Sequence, residues 1–158
     1  MDILTTLEQS GFSTWMRESP SVWAMPTVLT LHTTGMAVLV GASWVLDLRL
    51  LGLNKKVPLS NYRWVFQAVA IGLVVNLITG VLLFMKNATG WGTAFPFLVK
   101  MIFVVASAAT ILPIRKYVLN SGAGTQEVAS NVRLLAIASI VAWSAAVTAG
   151  RLLAYLVT

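Results

Sequence analysis

The stretch "TLHTTGMAVLVGASWVLDLRLLG", residues 30–52, decides the fold class, because it is apolar over a length that can cross a bilayer. Most of it belongs to the first of four apolar runs, which cover residues 22–46, 62–85, 94–119 and 132–157. Each run exceeds the roughly 20 residues that span about 30 Å of hydrocarbon at about 1.5 Å per residue. Spanning segments must satisfy their backbone groups internally, so the runs predict four transmembrane helices.

The overall composition indicates the same class of protein. The chain is 58% hydrophobic and 10% charged, whereas soluble domains are nearer to about half apolar and about a quarter charged. Short links between the runs favour an all-α fold, an integral membrane antiparallel four-helix bundle over residues 22–158. Residues 1–21 are predicted to form a short N-terminal interfacial helix, because Leu4, Leu7 and Trp15 can share one apolar face.

The distribution of basic residues predicts the orientation of the chain. The first and third links carry seven of the eleven Lys and Arg residues: Arg49, Lys55, Lys56, Arg63, Arg115, Lys116 and Arg133. The positive-inside rule then places these links in the cytoplasm and both termini outside a bacterial cytoplasmic (inner) membrane. The net charge of +6 is therefore assigned to membrane topology and not to nucleic-acid binding.

Four polar residues are predicted to lie at depth within the spans. Counted from the outer boundary at about 1.5 Å per residue, His32 lies at about 15 Å, Asn76 at about 13 Å, and Lys100 and Arg151 at about 9 Å. They come from four different helices, so we expect them to converge on one site. Embedded ionisable residues usually mark a ligand or a pathway. The acidic residues are expected at or outside the span ends, which leaves an excess of positive charge: Asp2, Glu8, Glu18, Asp47 and Glu127.

Haem b satisfies the chemistry of such a site. Its iron takes a histidine ligand, here His32, and its two propionates are anions that Lys100 and Arg151 could hold. Small residues near His32 and Asn76, among them Gly35 and Gly80, permit either a flat ring or close helix packing.

Other positions around the predicted haem stay open. Trp143 is expected either to form a wall of the cavity or to be an ordinary core residue. The second axial position has no assigned ligand. Met85 and Met101 could reach it from other helices.

A family resemblance points in the same direction. The pattern "LH…G…VGASW…LRLLG" in the first helix and "FPFLVKMIFVV" in the third resembles the four-helix haem-containing membrane protoporphyrinogen oxidases and the membrane core of copper-resistance D proteins. In both, a first-helix histidine, an arginine at its cytoplasmic end and a third-helix lysine recur, which here correspond to His32, Arg49 and Lys100. The chain departs from the oxidases after Arg49, where residues 50–52 read Leu-Leu-Gly instead of aromatic residues and histidine.

Four functions remain open from the sequence. The first is a b-type cytochrome that moves electrons between a quinone pool or a membrane redox partner and another acceptor. The second is a porphyrin-oxidising enzyme, as the resemblance implies. The third is a copper-handling protein that uses His32 with Met25 and Met36, since imidazole and thioether suit Cu(I). The fourth is a non-catalytic anchor subunit, and a homo-oligomer is compatible with each.

Overall fold

The computed structural model describes residues 3–18, 21, 23–121 and 127–156, and all regular secondary structure within these ranges is helical. Besides a 3₁₀ turn at Leu59–Tyr62, seven α-helices follow one another along the chain. They are α1 Ile3–Glu8, α2 Gly11–Glu18, α3 Ala24–Leu51, α4 Val65–Lys86, α5 Ala88–Gly92, α6 Phe95–Asn120 and α7 Ser130–Leu156.

Four of these helices, α3, α4, α6 and α7, are long and apolar enough to cross a membrane, which confirms the prediction of four long apolar helices. α3 continues beyond the predicted end at residue 46 and stops at Gly52, whose φ of +110° suits a residue without a side chain. The expectation that Asp47 lies at or outside the end of its span is therefore wrong. Its side chain is within the helix and 1% exposed.

The long helices pack in the order α4, α3, α7, α6. α3 contacts both α4 and α7, and α7 also contacts α6, whereas no extensive packing joins α4 to α6 within the described part of the chain. A groove of about 500 Å³ separates α4 from α6, with Arg63 and Arg115 at one end. The bundle is thus open along one side, and we call this opening the α4/α6 groove.

Glycine brings α3 and α4 into close contact. A Cβ added to Gly72 would lie 2.8 Å from the Leu39 backbone nitrogen and 2.9 Å from the Gly35 carbonyl oxygen. A Cβ on Gly35 would lie 2.9 Å from Cγ1 of Val75. The helix backbones approach so closely at Gly35 and Gly72 that neither position has room for a side chain.

Arg49 fixes the connection between α3 and α4. Its side chain is only 3% exposed, and its Nε and Nη2 donate to the Val57 carbonyl oxygen at 2.9 and 2.7 Å. Nη2 also donates to the Lys55 carbonyl oxygen at 3.2 Å. The predicted capping position of Arg49 at the end of the first long helix thus has a structural basis, because the guanidinium holds the following loop.

The N-terminal segment forms two short helices, α1 and α2, where a single helix was expected. The turn at residues 9–10 separates them. Both pack at the end of α4, where the Ser13 hydroxyl donates to the Met85 carbonyl oxygen at 2.7 Å. The Glu8 carboxylate accepts hydrogen bonds from the backbone and hydroxyl of Thr89. The segment is therefore attached to the same end of the bundle as α5.

Candidate functional site

A cavity of about 280 Å³ lies among the four long helices, on the side of the α4/α6 groove. Its volume is close to the lower end of the roughly 300–1,000 Å³ that small-molecule sites occupy. Most of its walls are apolar, and His32, Asn76 and Lys100 supply the polar groups. The lining residues are His32, Met36, Leu39, Leu73, Asn76, Leu77, Gly80, Val81, Phe84, Phe97, Lys100, Met101, Val104, Trp143 and Ala146.

The His32 imidazole is oriented by a hydrogen-bond relay to α4. Its Nδ1 lies 2.9 Å from the Thr79 hydroxyl oxygen, and that hydroxyl donates to the Val75 carbonyl oxygen at 2.6 Å. A hydroxyl has one hydrogen, so while Thr79 donates to Val75 it can only accept from His32, and Nδ1 then carries the proton. In the neutral ring the lone pair is then on Nε2, the tautomer required of a histidine that binds a metal through Nε2.

Two further residues of α4 hold the same helix turn in place. The Asn76 side-chain amide donates to the His32 carbonyl oxygen at 3.0 Å. Gly80 lies directly beside the ring, since a Cβ added there would be 3.4 Å from Cε1 and 3.9 Å from Nδ1 of His32. α4 therefore fixes both the backbone and the ring of His32.

Lys100 brings a positive charge into the cavity. It is close enough to His32 for its charge to act on the imidazole, and its stem lies over Gly150, where a Cβ would be 3.5 Å from Cδ. No hydrogen bond or ion pair joins Lys100 to another residue in the described ranges, and no Asp or Glu lines the cavity. A half-buried cation without a partner carries a cost, so the cavity is suited to an anionic group.

Two predicted site residues lie elsewhere. Arg151 is exposed, and its guanidinium carbon sits 5.4 Å from the centre of the Tyr155 ring on the same helix. Gly35 contacts Val75 at the α3–α4 crossing and does not line the cavity. The expected convergence is thus corrected: the structure brings together His32, Asn76 and Lys100, and it leaves out Arg151 because that side chain projects onto Tyr155.

The remaining sequence predictions concern the walls. Trp143 lines the cavity and is 3% exposed, and its indole N–H has no hydrogen-bond partner among the described residues. Met101 and Met36 line the cavity, whereas Met25 and Met85 do not. Trp143 is therefore both a buried core residue and part of the cavity wall. Met101 is the methionine that reaches the cavity from a helix other than α3.

An aromatic pair also lines the cavity. The rings of Phe84 and Phe97 stack with centroids 5.0 Å apart and an interplanar angle of 24°. Since Phe84 belongs to α4 and Phe97 to α6, this pair joins the two helices beside the cavity.

Sequence reasoning missed the position of one partner of His32. The second ring nitrogen of a ligating histidine usually has a hydrogen-bond partner, but the sequence alone does not show which residue this is. Thr79 does follow Asn76 by three residues and precedes Gly80, so it belongs to the same helix face as two predicted site residues. That spacing is the feature of the sequence that could have identified Thr79 as the partner of His32.

Comparison with known proteins adds no assignment, since no protein-family model, curated protein or solved structure matches the chain. Among the described residues no group of three or more His, Cys, Asp or Glu could hold a metal ion. The resemblance to the porphyrin oxidases and copper-resistance proteins therefore stays a prediction from the sequence, and function is argued from the cavity.

Proposed function

We propose that the chain is a multi-pass protein of a bacterial cytoplasmic membrane, with four antiparallel spans and both termini outside. Large apolar side chains on the outer surfaces of α4, α6 and α7 support this proposal: Ile71, Leu77, Ile102, Val105 and Leu134 are each at least 64% exposed. Such a surface is unsuited to water and suited to lipid. The orientation follows from the excess of Lys and Arg in the first and third links.

We further propose that the cavity binds haem b and that the protein is a membrane-embedded b-type cytochrome. The observation that carries this proposal is the position of His32, which lines an apolar cavity and whose Nδ1 lies at hydrogen-bond distance from Thr79, so that Nε2 is the ring nitrogen without a protein partner among the described residues. Haem b would supply a one-electron redox centre to a chain whose own side chains include no cysteine.

The residues present fit the chemical requirements of haem b. His32 would ligate the iron through Nε2, and Thr79 keeps the ring in the required tautomer. Lys100 would pair with a propionate, because its ammonium has no other anionic partner in the cavity. Met101 is placed on a different helix from His32 and lines the same cavity, so its thioether would be a second ligand available to the iron.

The cavity alone is too small for haem, so haem binding would also need space from the α4/α6 groove. A cavity of about 280 Å³ is small for a macrocycle, but Leu73 lines both this cavity and the groove. The two spaces are therefore neighbours along the open side of the bundle. We infer that haem binding uses this open side, and that a quinone or a membrane redox partner would approach from the same side.

An absorption spectrum tests the proposal directly. Protein purified in mild detergent from haem-replete cells should show a Soret band, and His32→Gly should lose it. Added imidazole should restore the band in His32→Gly, because the free base can replace the missing ligand. A folded, colourless wild-type protein, or an unchanged spectrum in His32→Gly, would contradict haem binding at His32.

Copper is the second candidate, favoured by one observation. Met36 and Met101 line the same cavity as His32, which gives two thioethers and one imidazole of the kind that Cu(I) prefers. The Lys100 charge in the cavity opposes a bound cation, so haem is the better assignment. Metal analysis of the same preparation distinguishes the two candidates. Stoichiometric copper without haem would support copper binding. The absence of both haem iron and copper would support an anchor role.

A further inference from the structure

A second polar cluster lies apart from the His32 cavity, where α3, α6 and α7 meet. Asp47 and Ser43 from α3, Thr110 from α6 and Ser139 from α7 line a small cavity of about 10 Å³. Asp47 is 1% exposed, and its Oδ2 is buried without a hydrogen-bond partner among the described residues. The function proposed above makes no use of this carboxyl.

The hydroxyl groups of Ser43 and Thr110, near Asp47, donate their hydrogens to backbone carbonyl oxygens. The Ser43 hydroxyl donates to the Leu39 carbonyl oxygen at 2.8 Å, and the Thr110 hydroxyl donates to the Ser107 carbonyl oxygen at 2.7 Å. While these bonds are kept, neither hydroxyl has a hydrogen left for Asp47. Among the described residues, Ser139 is the side chain whose hydrogen bonding acts on the Asp47 carboxyl. Oδ2 receives no hydrogen bond from the described part of the chain.

Charged groups on the neighbouring elements do not compensate Asp47. The guanidinium of Arg49, on the same helix, donates its hydrogen bonds to the loop carbonyl oxygens of residues 55 and 57. Arg63 and Arg115 line the α4/α6 groove, and Arg133 of α7 lines a different pocket. None of them lines the cavity of Asp47. An ionised carboxylate would thus be buried among oxygen lone pairs with no cation beside it, which is strongly unfavourable.

We propose that Asp47 is a proton-binding site, in which the buried carboxyl carries a proton on Oδ2. Carboxylate and proton combine to the neutral acid, with no electron transferred. Protonation removes the buried negative charge, and a proton needs no space of its own. A cavity of about 10 Å³ is at the limit for a single water molecule, so a metal ion with its shell does not fit.

The fold also provides a route for this proton. Phe66, Val69 and Ile111 line both the Asp47 cavity and the α4/α6 groove. These three side chains therefore form a partition that separates Asp47 from the α4/α6 groove, which has arginines at one end. We infer that the proton exchanges through this partition when Phe66 moves aside.

Infrared spectroscopy in a detergent without ester groups tests the site. The chain has only five Asp and Glu residues, and solvent-exposed carboxyls are ionised at neutral pH. A protonated-carboxyl C=O band should be present at neutral pH and absent in Asp47→Asn. Ser139→Ala should retain the band at a shifted frequency, and it serves as the test if Asp47→Asn does not fold. Absence of the band in the wild type, or its unchanged position in both variants, would overturn the proposal.

The rate of hydrogen–deuterium exchange at this band tests the route. Phe66→Ala should accelerate exchange by about tenfold or more, because a smaller side chain makes the required local opening easier. Leu112→Ala is the matched control, since Leu112 lines the groove but not the Asp47 cavity. Equal acceleration by both variants would contradict the partition. Loss of the band when sodium replaces choline in the buffer would show a metal ion in place of the proton.

Discussion

The hydroxyl oxygen of Thr79 lies 2.9 Å from Nδ1 of His32, although the two residues are 47 positions apart and belong to different helices. While the same hydroxyl donates to the Val75 carbonyl oxygen, it accepts from Nδ1 of the imidazole. In that arrangement Thr79 leaves the lone pair of the neutral ring on Nε2. This relationship makes the properties of His32 dependent on the packing of α3 against α4.

Replacement of Thr79 by Val should weaken haem binding while leaving the fold intact. The substitution removes the acceptor for Nδ1–H at nearly constant volume, and loss of such a partner typically lowers metal affinity by about 10–100-fold. Haemin titration of the apoprotein, followed at the Soret band, measures the change. Thr33→Val is the control, because exposed Thr33 makes the same kind of bond to the Leu29 carbonyl oxygen but does not contact His32. Equal losses in the two variants would show that the relay is irrelevant.

Replacement of Lys100 by Met should lower the reduction potential of the bound haem. Loss of a nearby positive charge favours the oxidised, more positive iron, and about 59 mV corresponds to a tenfold change for a one-electron couple. We expect a decrease of tens of millivolts by potentiometric titration. Lys116→Met, on an exposed residue further along α6, should leave the potential unchanged. A higher or unchanged potential in Lys100→Met would remove Lys100 from the site.

Replacement of Gly72 by Ala should destabilise the bundle by about 1–3 kcal/mol, the usual effect of overpacking. The new Cβ would meet backbone atoms of Leu39 and Gly35, and backbone cannot rotate out of the way as a side chain can. Thermal unfolding in detergent measures the effect. Gly41→Ala should not lower the unfolding midpoint, because nothing lies within 4 Å of a Cβ at that position. A midpoint that falls equally in both variants would indicate a general effect of the methyl group.

Single cysteines should report the orientation of the chain, which contains none of its own. Lys56→Cys lies in the first link and Thr93→Cys in the second, and both positions are exposed. In intact cells a membrane-impermeant thiol reagent should label Thr93→Cys, and it should label Lys56→Cys only after lysis. The reverse labelling pattern would place the termini in the cytoplasm.

Much of the fold could be predicted from the sequence, because length and apolar composition alone identify four long helices. The helix ends were less predictable. α3 continues past Asp47 because Leu48, Leu50 and Leu51 maintain an apolar face and Gly52 provides the stop. A single charged residue was taken as the end of the span, although its neighbours indicated otherwise.

The site was predicted in part. Depth along the helix placed His32, Asn76 and Lys100 near one another, since residues at similar depth in neighbouring helices can meet. Depth does not give the rotation of a helix about its axis. That rotation places Arg151 on an exposed face of α7, where it lies over Tyr155 one turn further along the same helix. It also turns Gly35 toward Val75, so these two residues lie outside the cavity. The partner of His32 likewise required the packing of α4.

The separation between α4 and α6 determines how a ligand would enter the cavity beside His32. In a bilayer this side of the bundle faces acyl chains, so a lipophilic compound would travel in the plane of the membrane and enter sideways. Its rate of uptake would then follow its concentration within the bilayer, and so how strongly it partitions from water into lipid.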